Sequence, residues 1–325
     1  MGRQDGVQSV PPALLQELYR QSWPHNLKSI LIYGMLIGCG VLAWNAESPW
    51  IVWPAYLAMG YLWMGIVTFM HDCTHLILFR KRWKNWAFGI FSTLPILITF
   101  TSFMDDHLAH HKYNRGPNDP DAFTMGARRF PDFLLFYGYI LIGGLLTAIH
   151  FNFIYPMQKL RGTRLWIHIG ELALRIVAYG ALIFWASQAG LAGKVLSVWL
   201  IPVYFFSVLN SIRFIAEHYD TPWGAGQLAS TRTVISNPVN RFFWNNINYH
   251  IGHHVYPGVP WHNLAKLHQA MLPAIEKAGA LVEPSYLGVF WRACVNGPET
   301  IERNRQHQIE RAARAKDEAR PPPFG

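Results

Sequence analysis

The chain has 325 residues, of which 51% are hydrophobic, 15% aromatic and only 14% charged. Soluble domains carry about 25% charged residues, so this composition excludes an ordinary water-soluble domain, while a mean hydropathy of +0.11 leaves room for a sizeable water-facing part. The net charge of +9, beside long apolar runs, argues against nucleic acid; it fits positive charge flanking membrane spans, or a face that docks an acidic protein or anionic lipid.

In chain order, the N-terminus (MGRQDGVQSV) is polar, lacks a signal-peptide layout and carries glycine at position 6, where a myristoylation motif needs Ser or Thr. Residues 1–27 are expected to form a cytosolic N-terminal segment. A bilayer core about 30 Å thick needs about 20 apolar residues in a helix. Six runs approach that length: 28–46, 50–70, 86–103, 134–154, 166–189 and 194–216. Arg80, Lys81, Arg82 and Lys84 follow the second run. Arg128 and Arg129 precede the fourth, and Lys159, Arg161 and Arg164 follow it, whereas 47–49 and 190–193 carry no Lys or Arg. The positive-inside rule then turns runs one and two into a hairpin and runs five and six into another. Runs three and four, which start and end inside, are expected to be interfacial or partly inserted; Pro95 and the Gly143-Gly144 pair agree with that. The expected fold is an all-α multi-pass membrane protein. Its four transmembrane helices form two hairpins, joined by interfacial helices at 86–103 and 134–154 and capped by cytosolic helices. The membrane domain covers 28–295, and 296–325 is expected to be a charged, solvated cytosolic tail.

Two charged pairs occur at helical spacing within the spans, Glu171 with Arg175 and Arg213 with Glu217. The three cysteines, Cys39, Cys73 and Cys294, form no CxxC pair, which argues against a thiolate metal site. "GAGQLA" at 224–229 follows no strand and opens no βαβ unit, so it is not read as a nucleotide loop.

The chemistry lies in the histidines. "HDCTH" supplies His71 and His75, "HLAHH" supplies His107, His110 and His111, "EHYD" supplies His218, and "HIGHH" supplies His250, His253 and His254. Residues three and four apart share a helix face, and each box sits just beyond an apolar run on the face that charge placement assigns to the cytoplasm. Nine imidazoles exceed what one metal takes, and without a thiolate they suggest two metals. Imidazole suits iron, copper, zinc and nickel alike. An oxygen-activating di-iron centre explains two open sites beside a bilayer best. A non-catalytic transporter or sensor is the alternative from another class, but transport ligands are expected near the midplane, where these spans hold almost no histidine. His25, His150, His168, His262, His268 and His307 belong to no box and read as structural.

The series HxxxH, HxxHH, HxxHH, with "HHKYNRGPNDPDAF" after the second box and "TRTVISNPVNRFFWNNINYHIGHHVYPGVPWHNL" around the third, resembles the integral-membrane fatty-acid desaturase superfamily, which also includes carotenoid ketolases and hydroxylases. The resemblance runs from about residue 28 to about 270. It implies two iron ions facing the cytosol, with O2 as co-substrate. The implied ligands are His71, His75, His107, His110, His111, His250, His253 and His254, with His218 as the additional histidine some members use. Asp72, Asp119, Asp121 and Glu217 could hydrogen-bond the far nitrogens of ligating rings or cap helices, and Asn245, Asn246 and Asn248 are further polar candidates. Gly252 departs from the family pattern, since many members carry Glu there; it removes a carboxylate near the metal without removing a ligand. The implied activity is desaturation of a fatty-acyl lipid. Hydroxylation or ketolation, including of carotenoids, and oxidative decarboxylation to a terminal alkene are alternatives on the same ligands. No haem motif or cysteine cluster for electron transfer is visible, so electrons are expected from a separate ferredoxin-like or haem protein. A bacterial inner membrane is favoured over the endoplasmic reticulum.

Overall fold

A computed structural model of the chain describes residues 10–121, 130–300, 302–306 and 309–310. Arg128, Arg129 and His307 lie outside the described residues. The architecture is all-α: a two-residue parallel bridge between β1 (Thr233–Val234) and β2 (Val282–Glu283) is the sole sheet among the described residues. A short amphipathic helix α1 (Pro12–Leu18) precedes a hairpin of two long apolar helices, α2 (Trp23–Asn45) and α3 (Pro49–Thr74). A second hairpin pairs α8 (Gly162–Gln188) with α9 (Ala192–His218). Five described segments are long and apolar enough to cross a membrane: 12–45, 49–74, 136–159, 162–188 and 192–218. Over half of the apolar window of α3 is buried, against about a fifth for the others. So α3 is the central helix, packed against α2, α9 and the helix α4 (Arg82–Thr93). The outer helices show lipid-type surfaces, such as Ile37 on α2 and Ile176, Val177 and Phe184 on α8.

Between the hairpins the chain makes two excursions. The run 86–103 is not one helix. Helix α4 (Arg82–Thr93) stops before Pro95, and α5 (Phe100–Tyr113) starts anew. Helix-breaking backbone beside apolar surface needs its polar groups satisfied by neighbours, and the spans supply them. The Arg175 guanidinium donates to Thr93 Oγ1 (2.7 Å) and to the Ile98 carbonyl, the Tyr179 hydroxyl to the Leu94 carbonyl, and Trp199 Nε1 to the Pro95 carbonyl at 2.7 Å. Glu171 meets the other side of the break. Its carboxylate accepts the Phe100 and Thr101 amides at 2.7 and 3.1 Å, satisfying free N–H groups of the first turn of α5. The Glu171–Arg175 pair (3.4 Å) thus fastens the helix that carries the second histidine box.

The second excursion is α6 (Phe130–Ile149), which runs through a π-helical turn (His150–Ile154) into α7 (Tyr155–Lys159). It bends at Ile142, whose φ/ψ of −118/18 is non-helical. Gly143 and Gly144 lie where an added Cβ would run into Ser211 Oγ and Ser207 Oγ, so the glycine pair lets α6 and α9 pack closely. Both ends return to the histidine-bearing face: Tyr137 donates to the Cys294 carbonyl (2.7 Å), and Tyr155 donates to Asp105 on α5 (2.9 Å).

That face is roofed by α10 (Gly226–Ala229), α11 (Pro238–Phe243), α12 (His250–Val255), α13 (Leu264–Lys277) and α14 (Tyr286–Asn296). Leu18 of α1, Ile251 and Val255 of α12, and Leu267, Met271 and Ile275 of α13 form a separate apolar cluster under it. Residues just past 296 are docked rather than solvated. Arg115 forks onto Glu299 (3.0 and 3.1 Å), both side chains buried, and Asn304 donates to the Thr221 carbonyl at 2.9 Å. The solvated tail expected from 296 therefore does not begin there; residues 311–325 lie outside the described part.

Candidate metal centre

Four elements converge. Helix α3 ends in His71 and the adjoining His75, α5 presents His107, His110 and His111 from its last turns, α9 ends in His218, and α12 is almost entirely the third box. Helical spacing does the local work, since 107 and 111, or 250 and 254, are one turn apart.

The nine histidines that the boxes and His218 supply all meet, in two sets. Ring nitrogens of His71, His75, His107, His111 and His253 lie within 4.8 Å of one another. His110, His218 and His254 form a second group, and His250 joins it through Nε2–Nε2 separations of 3.2 Å to His218 and 3.1 Å to His254. In the first set His75 and His107, and His111 and His253, bring their Nε2 atoms to 2.9 Å. These separations test whether the residues fit metal ions. Imidazole nitrogens bind first-row metals at roughly 2.0–2.1 Å, so two ligands at right angles about one ion lie about 3.0 Å apart. The observed contacts match that edge length. A neutral imidazole has one donor and one acceptor nitrogen, so five nitrogens aimed at one point cannot satisfy each other. Both ring nitrogens of buried His71 indeed have no hydrogen-bond partner. Two first-row metal ions fit the donor set.

The protonation states agree. Burial pushes His75 down to about 3. Burial, with neighbouring imidazoles, holds His107, His111, His250, His253 and His254 well below the ordinary range. Neutral rings keep the lone pairs that bind metal. His110 differs: burial opposes its charge, but Asp119 and Asp121 outweigh burial and push it up to about 9.

The carboxylates named from sequence take distinct places. Asp119 accepts His110 Nδ1–H at 2.8 Å and is itself held by the amides of Arg115 (2.7 Å) and Asp121 (3.0 Å). That orients the ring and keeps the proton on Nδ1, so that Nε2 of His110 can bind once it has given up its own proton. Asp121 stands 3.6 Å from the same nitrogen. Asp72 lies 3.8 Å from His71 Nδ1, beyond hydrogen-bond reach, and accepts the Trp261 amide at 3.2 Å. Glu217 is not on a far nitrogen. Held by Arg213 at 2.8 Å, it lies 3.5 Å from His250 Nε2, on the side where the ring nitrogens converge. Asn248 donates to the carbonyls of Val234 and Ile235, Asn245 to Gly65 and Asn246 to Trp261, so all three tie backbone segments together rather than orient a ring.

Sequence reasoning missed Gln227. Its Oε1 accepts His254 Nδ1–H (3.1 Å) and Asn114 Nδ2–H (3.1 Å), while its Nε2 donates to the His111 carbonyl. It lies in the stretch set aside as a poor nucleotide loop, and nothing local marks it. Gly252 also changes meaning. A Cβ there would have Leu267 (3.2 Å) and Met271 (3.9 Å) as nearest neighbours, so the position faces α13, and a carboxylate would enter apolar packing rather than reach a metal. Of the unboxed histidines, His25 stacks on His262 at 4.3 Å, His168 bonds Ser102 at 3.1 Å, and His268 packs on Tyr249. Among the described ones, His150 alone faces the centre's cavity.

Two outcomes follow. Asp119→Ala should leave the fold intact and weaken metal binding about 10–100-fold, read as metal retained after graded chelator treatment. Gly252→Glu should lower the thermal midpoint sharply, because it forces an unpaired carboxylate against Leu267; Gly252→Ala, which needs only a small shift of a flexible side chain, should cost about 1 kcal/mol or less.

A cavity of about 400 Å³ opens beside the centre. His71, His107, His110, His218 and His250 form one wall, and Phe103, Leu146, Ile149, Phe151, Ile154 and Phe214 form much of the rest. An apolar wall with a few convergent polar groups is the usual make-up of a small-molecule site.

Comparison with known proteins agrees with this geometry. The fatty acid desaturase family model matches residues 48–286. The chain is 22% identical to an sn-1 acyl-lipid omega-3 desaturase (ferredoxin) of Nostoc over 89% of this chain and 85% of that protein. It is 26% identical to an sn-1 oleoyl-lipid 12-desaturase of Arthrospira platensis over 80% and 78%. It is also 26% identical to a dihydrorhizobitoxine desaturase of Bradyrhizobium elkanii over 84% and 83%. With a family match spanning most of the chain and all three histidine boxes inside it, this multi-pass membrane protein belongs to the fatty acid desaturase family.

Proposed function

We propose that this chain is an O2-dependent, di-iron desaturase that introduces a double bond into an acyl chain. The observation that carries the reading is the division of nine convergent imidazoles into sets of five and four beside an apolar-walled cavity. His71, His75, His107, His111 and His253 would hold one iron; His110, His218, His250 and His254, with the Glu217 carboxylate at hand, would hold the other. When bound, the irons supply oxygen activation and the oxidising power needed to remove hydrogen from an unactivated C–H bond. The chain's own residues do the rest. Asp119 and Gln227 fix ring tautomers, the cavity wall aligns the hydrocarbon, and close burial keeps water away from the reacting carbons.

In this reading α2, α3, α8 and α9 are the four crossings, and every histidine box then lies at one face. The α4–α5 break meets Tyr179, about 22 Å along α8 from Arg164 at 1.5 Å per residue, so α4 and α5 read as a pair that dips into the bilayer and returns. Both ends of α6–α7 return to the site face, which fits a bent element at the interface. Lys and Arg placement supports a cytoplasmic orientation of that face. The exposed Arg80, Lys81, Arg82 and Lys84 offer a basic surface to an acidic ferredoxin-like or haem donor.

Expression in a host of defined lipid profile, followed by mass spectrometry, tests the reaction. An acyl product lighter by two hydrogens is expected; a product with new oxygen and no new double bond would replace desaturation with hydroxylation.

A further inference from the structure

Resting on the reading of this cavity as the substrate site, we propose that Asp106 is a specificity-determining residue there: it accepts a hydrogen bond from a hydroxyl or amino group that the substrate carries within a few bonds of the oxidised carbon.

Asp106 is 2% exposed, lines the cavity, and its Oδ1 makes no hydrogen bond. Leaving a buried carboxylate oxygen unmet is expensive, and such an atom facing a cavity is where a donor from outside belongs. Among the described charged groups on that wall, Arg213 is bound by Glu217 at 2.8 Å and by Asn210 at 3.3 Å, while Asp121 stands 3.6 Å from His110. His150 lies beside Asp106, its Nε2 3.5 Å from Oδ1, an ion-pair contact longer than a good hydrogen bond. His150 begins the π-helical turn His150–Ile154, and this turn puts His150, Phe151 and Ile154 on the cavity wall. π-turns are rare and occur disproportionately at functional sites. A hydrocarbon chain alone has nothing to offer this corner.

Position fixes the chemistry. Asp106 directly precedes His107 and lies about one helical turn, roughly 5.4 Å, from His110. A donor held by Asp106 therefore sets the attacked C–H bond only a few bonds away, near the polar end of the substrate. A methylene deep in an unbranched tail lies out of reach of this anchor. The inferred substrate class is an amphiphile with an O–H or N–H close to the reacting carbon.

The test uses the full chain in nanodiscs and measures binding by competitive displacement, which needs no turnover. Three probes differ only at one end: hexadecan-1-ol, hexadecylamine and 1-methoxyhexadecane. The ether accepts hydrogen bonds and cannot donate. The alcohol or the amine should bind at least about tenfold more tightly than the ether, the size of one hydrogen bond to a charged group. Whichever donor binds better identifies the group as hydroxyl or ammonium. Asp106→Ala should bring the probes together with iron content unchanged, while Asp106→Asn, which keeps an acceptor oxygen, should retain part of the discrimination. Equal binding of ether, alcohol and amine to the unmodified chain would overturn the proposal, as would equal weakening of all three by Asp106→Ala. Should Asp106→Ala fail to fold, the probe series on the unmodified chain decides alone. A chain that discriminates the probes yet yields no alkene would refute desaturation and leave the recognition corner standing.

Discussion

Alanine at His253 is expected to lower bound iron by about one ion per chain and turnover by more than about 100-fold, beyond the 10–100-fold range typical of residues behind the ligands. His253 approaches His111 at 2.9 Å, and its ring lies tilted against that of His71 with centroids 4.4 Å apart, so it belongs to the five-histidine set. His254→Ala should cause a loss of similar size through the other set, where its Nε2 lies 3.1 Å from that of His250. The two variants are adjacent in sequence and equivalent in helix propensity, so a purely structural effect would make them fail alike. Their difference should appear in the spectrum of the remaining iron, since each keeps a different set whole. His268→Ala is the control. Its ring packs on Tyr249 in the roof, and removing it should leave two irons in place.

The second large effect concerns an interaction outside the centre. Glu171→Ala should destabilise the fold by about 3–5 kcal/mol, the usual cost of stripping one partner from a buried pair. Arg175 is 2% exposed and would lose its carboxylate, while the amides of Phe100 and Thr101 would lose their acceptor. Because α5 carries His107, His110 and His111, iron content should fall with the thermal midpoint. Glu171→Gln keeps an acceptor for α5 and should be the milder change. Measuring midpoint and iron in the same preparations tests this: full iron occupancy in a destabilised Glu171→Ala chain would show that the pair holds the bundle without positioning the second box.

The convergence of the histidines was legible in the sequence because helical spacing groups them. Histidines three and four apart must share a face, and three such faces beyond apolar runs can meet only at one membrane surface. All nine named histidines do meet. What escaped is what depends on which way a side chain turns after long-range packing. Gln227 reaches His254 only because α10 packs on α12. Glu217 turns toward the ring nitrogens' meeting point because Arg213, one turn back, holds it there. Asn248 had the right chemistry and the wrong neighbours, since its amide is consumed by the carbonyls beside β1. The run 86–103 has the composition of one apolar element, and its interruption becomes clear only when Arg175, Tyr179 and Trp199 are seen meeting the carbonyls of the break. His150 carried no motif at all; the π turn that aims it at Asp106 has no local sequence signature.

Gly252 shows the same lesson at a single position. Beside His253 and His254, it invites a reading in terms of the metal, yet its Cβ direction leads to Leu267 and Met271. It is the close contact between the third box and the roof helix α13, and so belongs to the rigidity of the site.

The central claim is that two irons sit among the nine histidines. Quantitative metal analysis of the purified, active chain tests it most directly. About two irons per chain are expected when both positions are filled; fewer than about 1.5 with full activity, or activity that survives complete removal of iron, would contradict it.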